Sequence, residues 1–539
     1  MHIHPSSTVP GYSALAAAIA RNDATLLTLF SQARQGPPLM ERRPDAVRAI
    51  RDSMKYVKLS SQQSQALERF AEGAACIVTG QQAGFLGGPL YTVAKAASVL
   101  SRVRHHEAAG MSAAGVFWIE DNDHDLDEAA RATLIHRDHG TVTITARDYS
   151  TTLDRQSVAS CVFDERIVHL CDHLSALLSD GSATVSAADD VLREAYVPGR
   201  TWADAFLHLL NHWFSRHGLL FVKARTVRTM GFMQDVLLRD VQEPGATMAD
   251  ADAATKTLTD AGYRAQITAG VFNVFHHDEQ DRRHKLHVQE GGEDHVRVSE
   301  KSISRQEVLA LMTEQPERFS PSVVLRPLVQ DHLLGSAEIV AGPGELAYLA
   351  QLTHVYGRYG VSMPVLVPRS GVTFLSMKVA RLLQKEQAEA RHFFRTWEEI
   401  ERETTSDALD IDVMEALGRA REGNGAHAHD LLVRMEGFDK SLVAAVLALR
   451  KAVANELDAL ERKVTAAARR KQEEQLKRRR EIHFFIFPDE RLQERVIAPI
   501  SLMRVARESA VGPIIDVIGN HPIGHHFMIS ESAPGTTWT

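Results

Sequence analysis

The chain has little cysteine: three residues, Cys76, Cys161 and Cys171, in 539. So few, so unevenly placed, cannot form a disulfide scaffold, and a reducing cytosol is the simpler setting. No CxxC pair occurs. His208 and His212 are four apart in a helical pattern, but Leu209-Leu210-Asn211 lies between them without the glutamate of HExxH. No metal site is therefore expected. No run of 18 apolar residues is present, which excludes a transmembrane helix. Met1 to Pro10 lacks a basic segment followed by an apolar one, so no secretory leader is expected. A net charge of -8 supplies no global basic field for nucleic acid. Neither a Walker A loop nor GxGxxG occurs. These absences leave a cytoplasmic globular protein with no nucleic-acid or membrane partner.

What is present suits that class. Hydrophobic residues make up 44% and charged residues 24%, enough for a sizeable core and wrong for a disordered chain. Short apolar runs at Ala75–Val78, Gly115–Ile119, Leu219–Val222, Val323–Leu325 and Pro364–Val367 read as buried strands. Helical patterns from Leu90 to Val103 and from Trp202 to His217 alternate with them. Strands alternating with helices imply an α/β fold with a parallel sheet and right-handed crossovers. Ligands of such sheets bind beyond the carboxyl ends of the strands.

The expected organisation is a core in two parts, 1–240 and 316–373, with a mostly β insertion at 241–315. A helical domain follows at 374–485, and 486–539 packs back on the core. Leu442, Val446, Leu449, Val453, Leu457, Leu460, Val464 and Ala467 step by four and three, close to a heptad. Leu375, Val379, Leu382, Phe393, Trp397 and Ile400 offer an antiparallel partner. Gly423-Asn424-Gly425 reads as a break before the long helix.

Polar residues gather at the strand ends. Thr79-Gly80-Gln81-Gln82 leads into Gly84-Phe85-Leu86-Gly87-Gly88-Pro89, a loop between strand and helix that can offer N–H groups and a helix dipole to an anion. Lys95 adds a charge, although a plain structural turn fits the composition equally well. After the second strand, Asp123, His124 and Asp125 can bind an amine, position Mg²⁺ or act as a base. The structural alternative makes Asp125 a helix cap. Arg326 suits a carboxylate or phosphate, or simply pairs with Asp331. Gly342-Pro343-Gly344-Glu345 opens a helix and can bind an anion, with Glu345 placed to grip an amine.

Six segments in order resemble one family: IVTGQQAGFLGGPLYTVAK (77–95), VFWIEDNDHDLDE (116–128), PERFSPSVVLRPLVQD (316–331), GPGELAYLAQL (342–352), MPVLVPR (363–369) and FPDERLQERV (487–496). Together they are similar to the cysteine-adding ligases of bacillithiol biosynthesis. The resemblance implies a Rossmann-like core, connecting insertions and a C-terminal α-helical coiled coil that makes a homodimer. It implies amide formation between cysteine and the amine of glucosaminyl malate, with ATP, accompanied by Mg²⁺, activating the carboxyl group. It places Thr79, Gly80, Gln81, Gln82, Gly87, Gly88 and Lys95 at the nucleotide or substrate pocket. Asn273, Arg326, Asp331, Gly342, Gly344, Glu345 and Arg369 would hold polar substrate groups, and Asp123, His124 and Asp125 would carry the catalytic motif. Asn122 stands where the family commonly has a carboxylate, and Lys223-Ala224-Arg225 follows the third strand where it commonly has an acid. An amino-acid-activating nucleotidyltransferase with another acceptor, or a non-catalytic nucleotide-binding coiled-coil dimer, are the competing readings.

Overall fold

A computed structural model describes residues 2–4, 9–23, 26, 30, 33, 40–135, 140–178, 187–289, 292–299, 301–406, 411–505, 511–521 and 523–529. They fall into two compact units, one formed by Met1–Met377 with Arg491–Thr539, the other by Lys378–Glu490.

The first unit is built on five parallel strands: β1 (Ala75–Gln82), β2 (Ala113–Glu120), β3 (Leu220–Lys223), β4 (Ser336–Ala341) and β5 (Val365–Pro368). Their order across the sheet is β5-β4-β1-β2-β3. Cys76, Ile77 and Val78 of β1 and Val116 to Ile119 of β2 are buried, as continuous apolar runs are when both faces of a parallel sheet are covered. Helix α1 (Tyr91–Ala108) joins β1 to β2, and α2 (Trp202–Phe214) precedes β3, its first turn capped by Thr201 accepting from the Asp204 N–H. Gly115 of β2 lets α1 approach: a Cβ there would stand 2.8 Å from Val99. After β3 the chain crosses to the other side of β1. The topological switch point therefore falls between β1 and β4. Helices α3 (Arg326–Leu334) and α4 (Pro343–Ala350) flank β4 in sequence.

Three expectations need correction here. β1 does not stop at Val78; Gly80, Gln81 and Gln82 stay in register with Trp118, Ile119 and Glu120. Val323–Leu325 is not a strand but the turn that leads into α3, whose Pro327 presets the helical φ at its second position. The fourth core strand is β4 instead. The insertion is also more helical than its sequence suggested. Ala246–Asp260 buries Thr247, Ala251, Ala254 and Leu258, a helical spacing, and Arg305–Glu314 closes the segment. Between them lie short antiparallel strands, among them Val274–His277, which pairs with Arg283–Lys285 and Phe319–Pro321.

In the second unit, α5 (Ile411–Phe438) and α6 (Val443–Lys471) form an antiparallel helical hairpin. Asp439 caps the turn by accepting from the Ser441 N–H. Arg421 bridges to Asp458 at 2.8 Å and to Glu461, and Asn424 donates to the Arg450 carbonyl. The partner of the heptad helix is thus α5, not the segment around Val379 to Ile400. Gly423-Asn424-Gly425 lies inside α5: pairing along the hairpin overrides the cost of two glycines, about 1 kcal/mol each. No helix among the described residues is long and apolar enough to cross a membrane.

Candidate functional site

At the switch point a cavity of about 410 Å³ opens, within the usual range for small-molecule sites. β1 supplies Gly80, Gln81 and Gln82, and α1 supplies Lys95. Asp123 comes from the loop after β2, and Arg326 from the start of α3. The N-terminal turn of α4 brings Gly342, Gly344 and Glu345, and Arg369 follows β5. Residues that the motifs had not singled out also line it: Tyr91, Glu120, Glu128, Val323, Pro343, Tyr348 and Arg495.

Most of the cavity's charges hold one another. Lys95, 3% exposed, lies 2.6 Å from Glu345 Oε2 and donates to the Gly80 carbonyl (2.8 Å) and Gln81 Oε1 (2.9 Å). Burial draws its ammonium below the usual lysine range, although Glu345 pulls the other way. Burial would raise the Glu345 carboxyl, but Lys95 and the Gly342 N–H (2.8 Å) outweigh that and hold it down. Gly342 is what admits this cluster. A Cβ there would sit 3.3 Å from Glu345 Oε2, 3.5 Å from Arg369 Nε and 4.0 Å from Lys95 Cε. By contrast, a Cβ on Gly344 would meet nothing within 4 Å, so the first turn of α4 faces open space and can present its dipole to an anion.

Arg326 donates to Tyr348 Oη (2.6 Å), and Arg369 donates to Glu494 Oε1 (2.6 Å) and the Ser370 carbonyl (2.8 Å). Tyr91 accepts from Gln81 Nε2 at 3.2 Å, and its hydroxyl is pushed up to about 12 by burial. Glu120 and Glu128 are raised above the ordinary carboxylate range, both chiefly by burial. Among the described residues neither has a cation within ion-pair distance, although Glu120 accepts from Trp118 Nε1 (3.1 Å) and the Asn122 N–H (3.3 Å).

Asp123 belongs to a second network, which runs away from the cavity. It accepts from Gln82, from Arg283 Nη1 (3.0 Å) and from the His124 N–H (2.8 Å). Its carboxyl is held far below the usual range: burial raises it, and His124 and Arg283 more than reverse that. Arg283 also donates through Nε to Ser320 Oγ (3.2 Å) and through Nη2 to the Pro321 carbonyl, and it lies over the Phe275 ring at 4.1 Å. Ser320 Oγ is 2.8 Å from His277 Nε2, and His277 Nδ1 is 2.7 Å from Asp281 Oδ1. Asp281 further accepts from Ser157, Ser160 (2.6 Å) and Arg228 (2.9 Å). The ionised Asp281 can only accept, so His277 Nδ1 donates to it; burial keeps the imidazole neutral, so Nε2 accepts and the Ser320 hydroxyl gives its proton to His277. This is a serine–histidine–aspartate line, but Ser320 is fully buried and its oxygen is already engaged. It is architecture, not a nucleophile.

Several expected residues lie elsewhere. Thr79 Oγ1 donates to the Val340 carbonyl (2.7 Å) and ties β1 to β4. Gly87 and Gly88 do not line the cavity; they adopt φ of 89° and 69° in a turn packed on Trp213 and Thr92, where glycine's conformational freedom is needed. Asn273 is bound to Asp240 and the Gly270 carbonyl. Asp331 is buried and accepts from Tyr356 Oη (2.6 Å) and Gln330. Asp125 caps Leu126–Ala130 by accepting from the Glu128 N–H. His124 packs beside Phe275 and does not line the cavity. Asp121, pushed up to about 6 by burial, accepts from the Arg225 N–H. Lys223 pairs with Asp204 at 2.6 Å, while Arg225 holds the Ala159 carbonyl and Ser160. Both basic residues after β3 are therefore consumed within the protein. Among the described residues, no group of three His, Cys, Asp or Glu is arranged to hold a metal ion.

Comparison with known proteins places this architecture. Residues 26–370 match the N-terminal Rossmann-like domain of bacillithiol biosynthesis BshC, and residues 372–529 match its C-terminal coiled-coil domain. A Salinibacter ruber protein named "Putative cysteine ligase BshC" is 33% identical over 422 residues, covering 78% of this chain and 76% of its own. A Chlorobaculum tepidum protein of the same name is 29% identical over 505 residues, covering 90% and 89%. One from Staphylococcus aureus is 28% identical over 353 residues, covering 62% of each. With both domains matched end to end and the parallel sheet ordered around its switch point, the chain belongs to the BshC family of bacillithiol biosynthesis.

Proposed function

We propose that this chain joins the carboxyl group of cysteine to the amine of glucosaminyl malate, giving bacillithiol, with ATP activating the carboxyl group. One observation carries the reading. Four carboxylates and four cations, together with the N-terminus of α4, converge on a single cavity at the switch point of a parallel sheet. A zwitterionic amino acid and a polyanionic nucleotide both need such mixed charge.

In this scheme Glu120, at the end of β2, receives the cysteine ammonium. The α4 turn and the guanidinium groups face the developing oxyanion and the phosphates. Glu128, its carboxyl raised by desolvation and by the neighbouring Asp125 and Asp123, takes the proton from the attacking amine. Asp123 is a poor base: three donors already hold its ionised form, so it orients Gln82 instead. ATP supplies the leaving group; Mg²⁺ accompanying it would be held by the phosphates and by at most one of Glu120 and Glu128. Because Lys223 and Arg225 are engaged away from the cavity, the unusual residues after β3 do not argue for a different acceptor. The exposed Leu447, Leu449, Val453 and Leu460 of α6 suit a homodimer made through the hairpin, which light scattering of the full chain tests.

The deciding experiment is cysteine-dependent exchange of pyrophosphate into ATP, followed by cysteine- and ATP-dependent consumption of glucosaminyl malate by the purified chain. Release of ADP would show an acyl phosphate in place of an adenylate. A strain lacking the gene should accumulate glucosaminyl malate and contain no bacillithiol; an unchanged thiol profile would overturn the proposal.

A further inference from the structure

Among the cavity's cations, Arg495 stands apart. Lys95, Arg326 and Arg369 each have a protein partner within hydrogen-bond distance. Arg495 comes from the C-terminal segment, just beyond the short helix Gln493–Val496 begins, and lines the same cavity half-buried. Its Nε is buried without a hydrogen-bond partner. Among the described residues no carboxylate lies within ion-pair distance of it, and the adjacent Glu494 is spent on Arg369 and on the Val372 N–H. Gly11 lies beside it: a Cβ there would stand 3.7 Å from Arg495 Nε and Nη2. A guanidinium carries five donors in a fixed fork. Leaving it half out of water, with Nε unanswered and a second guanidinium beside it, costs free energy that an anion in the cavity would recover. Burial and the neighbouring Arg369 both act against its charge.

We propose that Arg495 is the oxyanion-binding residue of this cavity, its forked donors taking a carboxylate or phosphate group of a substrate opposite the open first turn of α4. The inference deepens the ligase reading and assigns its anion contact to a residue far in sequence from the glycine loop. Two sources share this chemistry, a nucleotide phosphate and the carboxylates of the malate moiety, and the test separates them.

Wild type, Arg495→Gln and Arg495→Lys full-length proteins are titrated calorimetrically with ATP, glucosaminyl malate, pyrophosphate and L-malate. Arg495→Gln should weaken one pair of probes roughly tenfold to hundredfold, the usual effect of losing a charge-assisted hydrogen bond. Loss for ATP and pyrophosphate marks a phosphate site; loss for glucosaminyl malate and L-malate marks a carboxylate site. Arg495→Lys should recover part of the affinity, since it keeps the charge and loses the fork. Without ligand, Arg495→Gln should melt no lower than wild type, because an unpaired cation has been removed. Equal affinities in wild type and Arg495→Gln, a wild type that binds none of the four probes, or a ligand-free variant that melts clearly lower would each overturn the assignment. Arg495-dependent binding of the small anions without cysteine- and ATP-dependent consumption of glucosaminyl malate would instead retain Arg495 and sink the ligase reading.

Discussion

Two buried ionic networks meet across Gln82, and they are built from similar parts. On the cavity side, Lys95, Glu345, Arg326, Tyr348 and Arg369 each have a protein partner, yet donors and acceptors still face open volume. Behind Asp123, the chain of Arg283, Ser320, His277, Asp281 and Arg228 closes on itself, with nearly every polar atom answered by another protein atom. The second set contains the more suggestive constellation, a serine, a histidine and an aspartate in line. Yet its function is to hold the insertion's strands against the core. Access, rather than residue type, separates a site from a scaffold here.

The contrast breaks most visibly at Asp281. Asp281→Ala removes the acceptor of Ser157, Ser160, His277 and Arg228 and leaves the Arg228 guanidinium buried without a counter-charge. A loss of about 3–5 kcal/mol is expected, read as a lower denaturant midpoint. Lys95→Met should act the other way round: activity falls about a hundredfold or more as Gln81 and Glu345 lose their tether. Its stability cost is smaller, about 1–3 kcal/mol, because Glu345 keeps some solvent and the Gly342 N–H. Activity and melting curves on the same preparation separate the two effects.

A subtler test uses acid. Burial lowers His277 to about 3, whereas an unfolded histidine titrates near 6.5. As pH falls below about 6.5 the unfolded chain takes up a proton that the folded chain refuses, so stability declines until pH approaches the folded value, by at most about 1.4 kcal/mol per pH unit. His277→Gln should flatten that slope between pH 6 and about 4 while lowering the plateau at neutrality. An unchanged slope would show that the sealed network does not set acid stability. The smallest effect belongs to Gly344→Ala. The new methyl meets no atom within 4 Å, so the melting curve should move by no more than about 0.5 kcal/mol. An increase of a few-fold in the KM of an anionic substrate would show that the space is used.

Much of the sheet was legible, because buried parallel strands are short apolar runs with polar residues at their carboxyl ends. β1, β2, β3 and β5 follow from that pattern alone. Val323–Leu325 misled because three apolar residues fit a strand or a buried turn equally, and the proline two positions on, a helix-start signal, was the better guide. β4 was hidden by its Glu338, which is buried only because Arg102 and His106 answer it from α1. At the cavity, the glycine turn of α4 and Lys95 were readable. Tyr91 and Tyr348 were within reach too: they lie four residues before Lys95 and three after Glu345, on the same helix faces. Thr79, Asn273 and Asp331 belong to the right segments but turn inward, which no motif records. Arg495 lies in the family-like segment FPDERLQERV, but its place at the cavity depends on that segment returning from more than a hundred residues beyond β5, which no local pattern records.

The parallel pairing of β1 with β2 has a consequence for how such proteins can diversify. Gly80, Gln81 and Gln82 sit opposite Trp118, Ile119 and Glu120, so the cavity wall is encoded in the phase of one strand. Deleting a single residue between Ala75 and Thr79 would shift the pairing of β1 by one position and bring a different set of side chains to the cavity while leaving composition almost untouched. Insertions in the loops between β3 and β4 carry no such penalty. Over time, indels should be confined to the latter, and the spacing from Ala75 to Gln82 should drift less than the identity of the residues that fill it.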